Sequence, residues 1–173
     1  MSTISVDAQP AIAPARVSVG WDSDIHNLYC TIEYPAKNTT DPAPPRLLSD
    51  VLDQQWPLPI PRWVIVADAL SMVLDAGKRL KDFDIRTNPS DWTLTSIAPA
   101  IGAFAQPYVQ APFDDHGDAT CRPVEAEEYD SEHGIFCLSW GQAQRWCVVA
   151  PTLALGLAED GALMRIQLSE FWV

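Results

Sequence analysis

The chain has 173 residues, about the length of one domain, and 47% of them are hydrophobic, including seven tryptophans. This apolar content supports a folded core and excludes general disorder, and the apolar runs are too short for a membrane-spanning helix. The chain has eleven lysines and arginines and 23 aspartates and glutamates, so its net charge is −12. This negative charge disfavours direct contact with nucleic-acid phosphates.

The N-terminus lacks the basic start and apolar stretch of a secretion signal. The four cysteines are scattered, without a C-x-x-C pair. We therefore expect a cytoplasmic protein with reduced thiols and no membrane association.

The first predicted elements are two strands that form a hairpin. Val17 and Val19 precede a polar turn, and after it alternate residues lie on one strand face: Leu28, Cys30, Ile32 and Tyr34. Residues 35–61 contain seven prolines and are predicted to be largely extended. Within them, apolar residues at helical spacing after Pro45 predict one short helix near residues 46–54.

The next segment fits either a helix or strands. Residues 62–70, R-W-V-I-V-A-D-A-L, match residues 145–153, R-W-C-V-V-A-P-T-L, at five of nine positions. The second copy continues with alternating apolar residues on both sides of Asp160-Gly161, which is a strong hairpin signal. We therefore predict strands in both copies.

A second match supports an internal repeat. Residues 21–30, W-D-S-D-I-H-N-L-Y-C, align with residues 129–137, Y-D-S-E-H-G-I-F-C, when one gap is allowed, so that His26 matches His133 and Cys30 matches Cys137. Both matches occur in the same order along the chain. The sequence predicts a single domain, 1–173, built from two repeats at about 10–92 and 99–173, joined by an irregular connector at 93–112.

These elements predict a mainly β fold, α+β at most. We expect an internally duplicated antiparallel sheet that forms a pseudo-twofold sandwich or barrel. Closure into a barrel would also remove exposed strand edges.

An acidic insert at 113–132 carries most of the charge imbalance. Its eight candidate partner-binding residues are Asp114, Asp115, Asp118, Glu125, Glu127, Glu128, Asp130 and Glu132. Such a run of like charge is typical of a solvated loop. It can serve as a docking surface for a basic protein partner or simply keep the chain in solution.

Histidine and cysteine recur together but do not predict a reactive site. Residues four apart on a strand lie roughly 13 Å apart, so His26 and Cys30 cannot share a metal ion. Nothing in the sequence marks an activated cysteine, and the phosphate-binding, dinucleotide-binding, nucleophile-elbow and zincin motifs are absent. We therefore assign no catalytic residue, metal or cofactor, and the sequence leans away from an enzyme without deciding the question.

The composition and charge favour a non-enzymatic protein-binding module, such as an inhibitor or immunity-type protein that uses an acidic surface against a basic partner. One alternative is a structural or assembly component of a larger particle. A second alternative is a small enzyme or small-molecule binder with a pocket between the two repeats.

Overall fold

The computed structural model describes residues 2–36 and 62–173, which form fourteen β-strands and make the chain mainly β, as predicted. The strands are β1 (Ser5–Pro10), β2 (Arg16–Asp22), β3 (Asn27–Glu33), β4 (Trp63–Ala67), β5 (Leu70–Leu74), β6 (Leu80–Arg86), β7 (Thr93–Leu94), β8 (Ala105–Gln110), β9 (Asp118–Thr120), β10 (Ala126–Asp130), β11 (Ile135–Ser139), β12 (Arg145–Ala150), β13 (Leu153–Leu157) and β14 (Leu163–Leu168). The predicted helix near residues 46–54 lies outside the described residues. Within the described ranges the only helical element is a 3-10 turn at Pro89–Asp91, and no helix there is long and apolar enough to cross a membrane.

Six strands form the first sheet in the order β2-β3-β6-β5-β4-β9, antiparallel except for the β4–β9 pair. Along β3, Leu28, Cys30 and Ile32 are buried, while Tyr29 and Thr31 between them are exposed. This alternation is the pattern of a strand buried on one face, and it confirms the strand predicted there. The segment after residue 62 is also extended, which confirms the strand interpretation over the helical one.

The second sheet has the order β12-β13-β14-β11-β10-β7, antiparallel except for the β10–β7 pair. In both sheets a hairpin is followed by a three-stranded meander whose last strand pairs with the second strand of the hairpin. The ladders shift register between Val73 and Leu74 in the first sheet and between Gly156 and Leu157 in the second. The two sheets therefore share one order of connection.

The two hairpins have turns of equal length, with four residues between the paired strand ends. His26 takes the last turn position in the first hairpin and Gly134 takes it in the second, with φ angles of 51° and 62°. The gapped alignment, which matched His26 with His133 and Cys30 with Cys137, is therefore displaced by one residue and is wrong. The shared requirement for a positive φ, not the histidine side chain, is what the two turns have in common.

β1 and β8 pair with each other along their whole length and form a separate two-stranded sheet. Each also contacts a hairpin end of one large sheet. The Val6 N–H donates to the Gly161 carbonyl at 2.8 Å, and the Val109 N–H donates to the Lys78 carbonyl at 2.8 Å. β1 therefore docks on a turn of the second sheet, whereas β8 contacts a turn of the first sheet and also lies beside β12 of the second.

Side chains from both large sheets pack into one hydrophobic core, which includes Phe83 from the first sheet and Phe136 from the second. An aromatic cluster extends it: the Trp92 ring centroid lies 4.7 Å from that of Phe136, 5.2 Å from that of Tyr129 and 5.8 Å from that of Trp21. Among the described strands neither sheet closes on itself, because β2 and β9 end the first and β12 and β7 end the second. Of the two predicted forms, sandwich or barrel, the closed barrel is therefore wrong for this part of the chain.

The outer faces of the two sheets differ. Residues 95–104 lie against the second sheet: the Ile97 N–H donates to Asp130 Oδ2 at 2.9 Å, and Gln167 Nε2 donates to the Ala98 carbonyl at 3.3 Å. Every residue of β11 is buried as a result. On the first sheet, Tyr29 and Val66 point outward and are 49% and 42% exposed. The connector predicted at 93–112 is thus irregular only over the part that covers the second sheet, because its start forms β7 and its end forms β8.

Candidate functional site

The eight acidic residues predicted to bind a partner do not share one loop. Asp114 and Asp115 lie in a turn, Asp118 in β9, Glu125 just before β10, Glu127, Glu128 and Asp130 in β10, and Glu132 in the following hairpin turn. The expected solvated loop is therefore wrong, because β9 joins the first sheet and β10 joins the second. This division separates the acids into an exposed turn, a groove, an internal pair and Glu132, which stands alone and exposed in the hairpin turn.

The first group is a tight turn at 114–118, which we call the acidic turn. Asp114 Oδ1 accepts the His116 N–H at 2.8 Å and the Asp118 N–H at 3.0 Å. The N–H of Asp118, and then that of His116, lower the pKa of Asp114. Asp114 therefore shapes the turn, while Asp115 and Asp118 are exposed beside it.

The second group lines a shallow groove of about 380 Å³, which we call the acidic groove. Its walls come from the 3-10 turn, from β7 and from the start of β10: Asp91, Thr93, Val124, Glu125, Ala126 and Glu127. The parallel pairing of β7 with β10, with Thr93 opposite Glu128, brings the two segments together. Asp91 was not predicted as a site residue, because its neighbours in the groove are distant in sequence.

Glu127 is the half-buried carboxylate of the acidic groove. Burial raises its pKa, a hydrogen bond from the Thr87 hydroxyl opposes this rise, and the charge of Asp91 adds to it. The Trp92 indole N–H donates in turn to the Thr87 oxygen, so the carboxylate is held against the aromatic cluster. Glu127 is thus a fixed carboxylate whose surroundings disfavour its negative charge.

Glu125 is the exposed carboxylate of the acidic groove. It forms an ion pair with Arg122, three residues earlier. Both side chains of this pair are well exposed, so water screens their attraction and the arginine can be displaced at little cost.

The last two acids of β10 are used inside the protein. Glu128 Oε2 lies 3.0 Å from Arg165 Nη2 on the covered face of the second sheet. Asp130 is 3% exposed. Its carboxylate accepts the N–H groups of Ile97, Glu132 and His133 and faces His133 Nδ1 at 2.9 Å. Hydrogen bonds, that from Ile97 first, lower the pKa of Asp130 to about 2. Both residues therefore hold the fold together and present little carboxylate to a partner.

The histidines and cysteines of the two hairpins differ in exposure. His26 and His133 lie in exposed turns, whereas Cys30 and Cys137 are completely buried. Burial raises the pKa of each of these two thiols to about 12, so both are protonated and weakly nucleophilic at neutral pH. Across residues 2–36 and 62–173, no three His, Cys, Asp or Glu side chains are arranged to hold a metal ion.

Comparison with known proteins gives no family for this chain: no protein-family model and no curated protein sequence matches it.

Proposed function

We propose that the chain is a non-enzymatic, cytoplasmic protein-binding module that engages a basic partner through its acidic groove. The observation that carries the proposal is the convergence of Asp91, Glu125 and Glu127 on one groove. An inhibitor or immunity-type role is the form of this function that the acidity favours, because a charged surface of one sign steers an oppositely charged protein and raises its association rate.

The acidic groove has the chemistry to receive a lysine or arginine side chain. Such a contact would stabilise the charged form of Glu127 most, because burial and the charge of Asp91 disfavour that form in the free protein. A cation from the partner would compensate both carboxylates at once. The exposed Asp115 and Asp118 of the acidic turn would add long-range attraction that salt screens.

We further propose that the two large sheets are copies of one ancestral unit, related by a pseudo-twofold axis and packed as a sandwich in a single domain. Their common order of connection and the matching register shifts after Val73 and Gly156 support this. Under this proposal, the acidic groove distinguishes the two copies within the described residues, since β2 carries Val19 at the place where β10 carries Glu127.

A charge-matched pair of variants tests the proposal. The variant D91N/E125Q/E127Q removes three carboxylates from the acidic groove, and the control D24N/E33Q/E159Q removes three exposed carboxylates elsewhere. We measure binding of an oligolysine peptide by titration calorimetry at several salt concentrations. The groove variant should lose about tenfold or more in affinity, and the control should lose about threefold or less. Equal losses would mean that only net charge matters and would overturn the proposal.

The pH dependence of the same titration gives an independent test. The pKa of Glu127 is raised in the free protein and a bound cation would lower it, so binding must release a proton. Affinity should therefore rise with pH through the raised pKa of Glu127 and fall in acid. In E127Q this part of the pH dependence should disappear. Retention of the full pH dependence in E127Q would contradict the assigned role of Glu127.

A further inference from the structure

Strand β2 is an edge strand whose second side has no neighbour among the described strands. In the second sheet, the strand at the same place in the order of connection is β10, and β7 pairs with its outer side. Exposed edges are usually protected by lysine, proline or a bulge. None of these occurs between Arg16 and Asp22, and the ladder with β3 has no register shift.

The apolar side of β2 is incompletely covered. Val17, Val19 and Trp21 lie opposite Ile32, Cys30 and Leu28, three residues that are fully or almost fully buried in the core. Val19 itself is 37% exposed, and its two apolar neighbours on β2 are half-buried. An additional strand beside β2 would cover all three side chains.

The sequence of β2, R-V-S-V-G-W-D, is complementary to itself when it is read in the antiparallel direction about Val19. Opposite this strand in a second copy, Val19 meets Val19, Val17 meets Trp21 and Ser18 meets Gly20. Arg16 then lies opposite Asp22 at both ends of the pair. We propose that β2 is a homodimerisation edge, where two copies of the chain pair their β2 strands antiparallel about Val19 and extend the first sheet through both copies.

The charges select this register over its neighbours. Centring the pair on Ser18 would place Arg16 opposite Gly20, and centring it on Gly20 would place Asp22 opposite Ser18. In the register centred on Val19, both Arg16–Asp22 pairs lie on the outer face, where side chains directly across an antiparallel pair are neighbours. Such a contact is isologous: each copy gives the other the same surface, which is the symmetry of most homodimers.

Tyr29 already occupies the outer face above Gly20. A Cβ at Gly20 would overlap the Tyr29 ring, so the glycine is what leaves room for the tyrosine, which reaches over this position from β3. The small Ser18 of the second copy would lie directly opposite. The outer face of the dimer therefore presents the two Tyr29 rings between two charge pairs, and the inner face presents the Val17, Val19 and Trp21 side chains of both copies.

Charge-swap variants test this contact. R16D places two aspartates opposite each other at both ends of the pair, and D22R places two arginines there. We measure the dimer dissociation constant by sedimentation equilibrium from about 1 µM to about 1 mM. The ionic strength is fixed, because each copy carries a net charge of −12 and salt changes their repulsion. Each single variant should dissociate about tenfold or more readily than the wild type.

Two combinations should restore the dimer. The double variant R16D/D22R recreates both opposite-charge pairs in reversed orientation. An equimolar mixture of R16D and D22R should form a heterodimer in preference to either homodimer, because one copy then supplies only aspartate and the other only arginine. Failure of both combinations to recover the wild-type dissociation constant to within about threefold would overturn the register.

Changes at Asp22 can also disturb the hairpin turn, because Asp22 Oδ1 accepts the Asp24 N–H. A lysine substitution at the centre of the contact avoids this complication. V19K places two like charges face to face at the centre of the contact and should abolish the dimer. The control L94K makes a similar change on β7, at the edge of the other sheet, where Leu94 is 71% exposed, and should leave the dimer intact. A wild-type chain that is monomeric over the whole concentration range, or a dimer that V19K leaves unchanged, would refute the proposal.

Discussion

The two large sheets share one order of connection but differ in what surrounds them. In the second sheet, residues 95–104 cover the outer face and β7 pairs with the edge of β10, so all residues of β11 are buried. In the first sheet, the outer face of β3 is exposed and the edge of β2 is unpaired among the described strands. The comparison shows that the linking segments, rather than the order of the strands, decide which side chains each sheet buries.

The sequences of the strands record this difference. β3 alternates apolar with exposed residues, as a sheet with one buried face requires, whereas β11 and β13 are apolar or small throughout. The same position on the hairpin should therefore tolerate a charged side chain in the first sheet but not in the second. The following substitutions test this difference.

The largest effect is expected from a lysine on the outer face of the second hairpin strand of each sheet, which is β3 in the first sheet and β11 in the second. S139K would bury a charge in the covered face, where Arg165 lies directly across the ladder. It should cost about 3–5 kcal/mol of unfolding free energy, because a buried cation beside another cation has no compensating partner. T31K, at the matching exposed position opposite Asp82, should change stability by less than about 0.5 kcal/mol. Urea unfolding of the two variants measures the difference, and equal costs would contradict the contrast between the faces.

A smaller effect is expected from truncating one buried side chain in the segment that covers the second sheet. Ile97 is 6% exposed and packs with Ile135 and Cys137. I97A should therefore cost about 2 kcal/mol, the lower end for removing a buried aliphatic side chain near a surface that can adjust. L94A, three residues earlier and well exposed, is the control and should be close to neutral. The thermal midpoints of the two variants provide the comparison.

The smallest effect is expected at the aspartates that begin the two hairpin turns. Asp130 anchors the covering segment through the Ile97 N–H, while the donors to Asp22 among the described residues are N–H groups of its own exposed turn. D130N should therefore lower the thermal midpoint more than D22N.

The Asp130 carboxylate also gives a pH signature. Its folded pKa of about 2 lies below the ordinary value of 3.8 for an aspartate, so its contribution to stability is present above the unfolded pKa and is lost as pH falls through the folded one. The destabilisation caused by D130N should accordingly shrink between about pH 5 and pH 2. A D130N effect that does not change over this range would contradict the role of the ionised carboxylate.

The strands could be predicted from sequence where alternation and turn chemistry agree. Leu153 to Leu168, with Asp160-Gly161 at the turn, form β13 and β14 as expected. The alignment of the two hairpins went wrong because shared histidines and cysteines were given more weight than turn length. The turn needs a residue with positive φ, which His26 provides in one hairpin and Gly134 in the other.

The candidate site was harder to predict for a different reason. Acids that are close in sequence were expected to lie close together in space. Instead, β9 belongs to the first sheet and β10 to the second, and the Asp130 side chain is buried. The groove depends on a parallel contact of β7 with β10, which brings in Asp91 from another part of the chain. Non-local pairing of so short a strand leaves no periodic signal in the sequence.

The docking of β1 on the second sheet has a consequence for the order of events during synthesis on the ribosome. β1 pairs with β8, and the Val6 N–H finds a further partner at Gly161, in the turn between β13 and β14. β1 can therefore pair as soon as β8 has been made, but it completes its contacts only after the β13–β14 turn has followed. Closure over so long a stretch of chain is slow, so part of β1 is open to chaperones and proteases in the meantime.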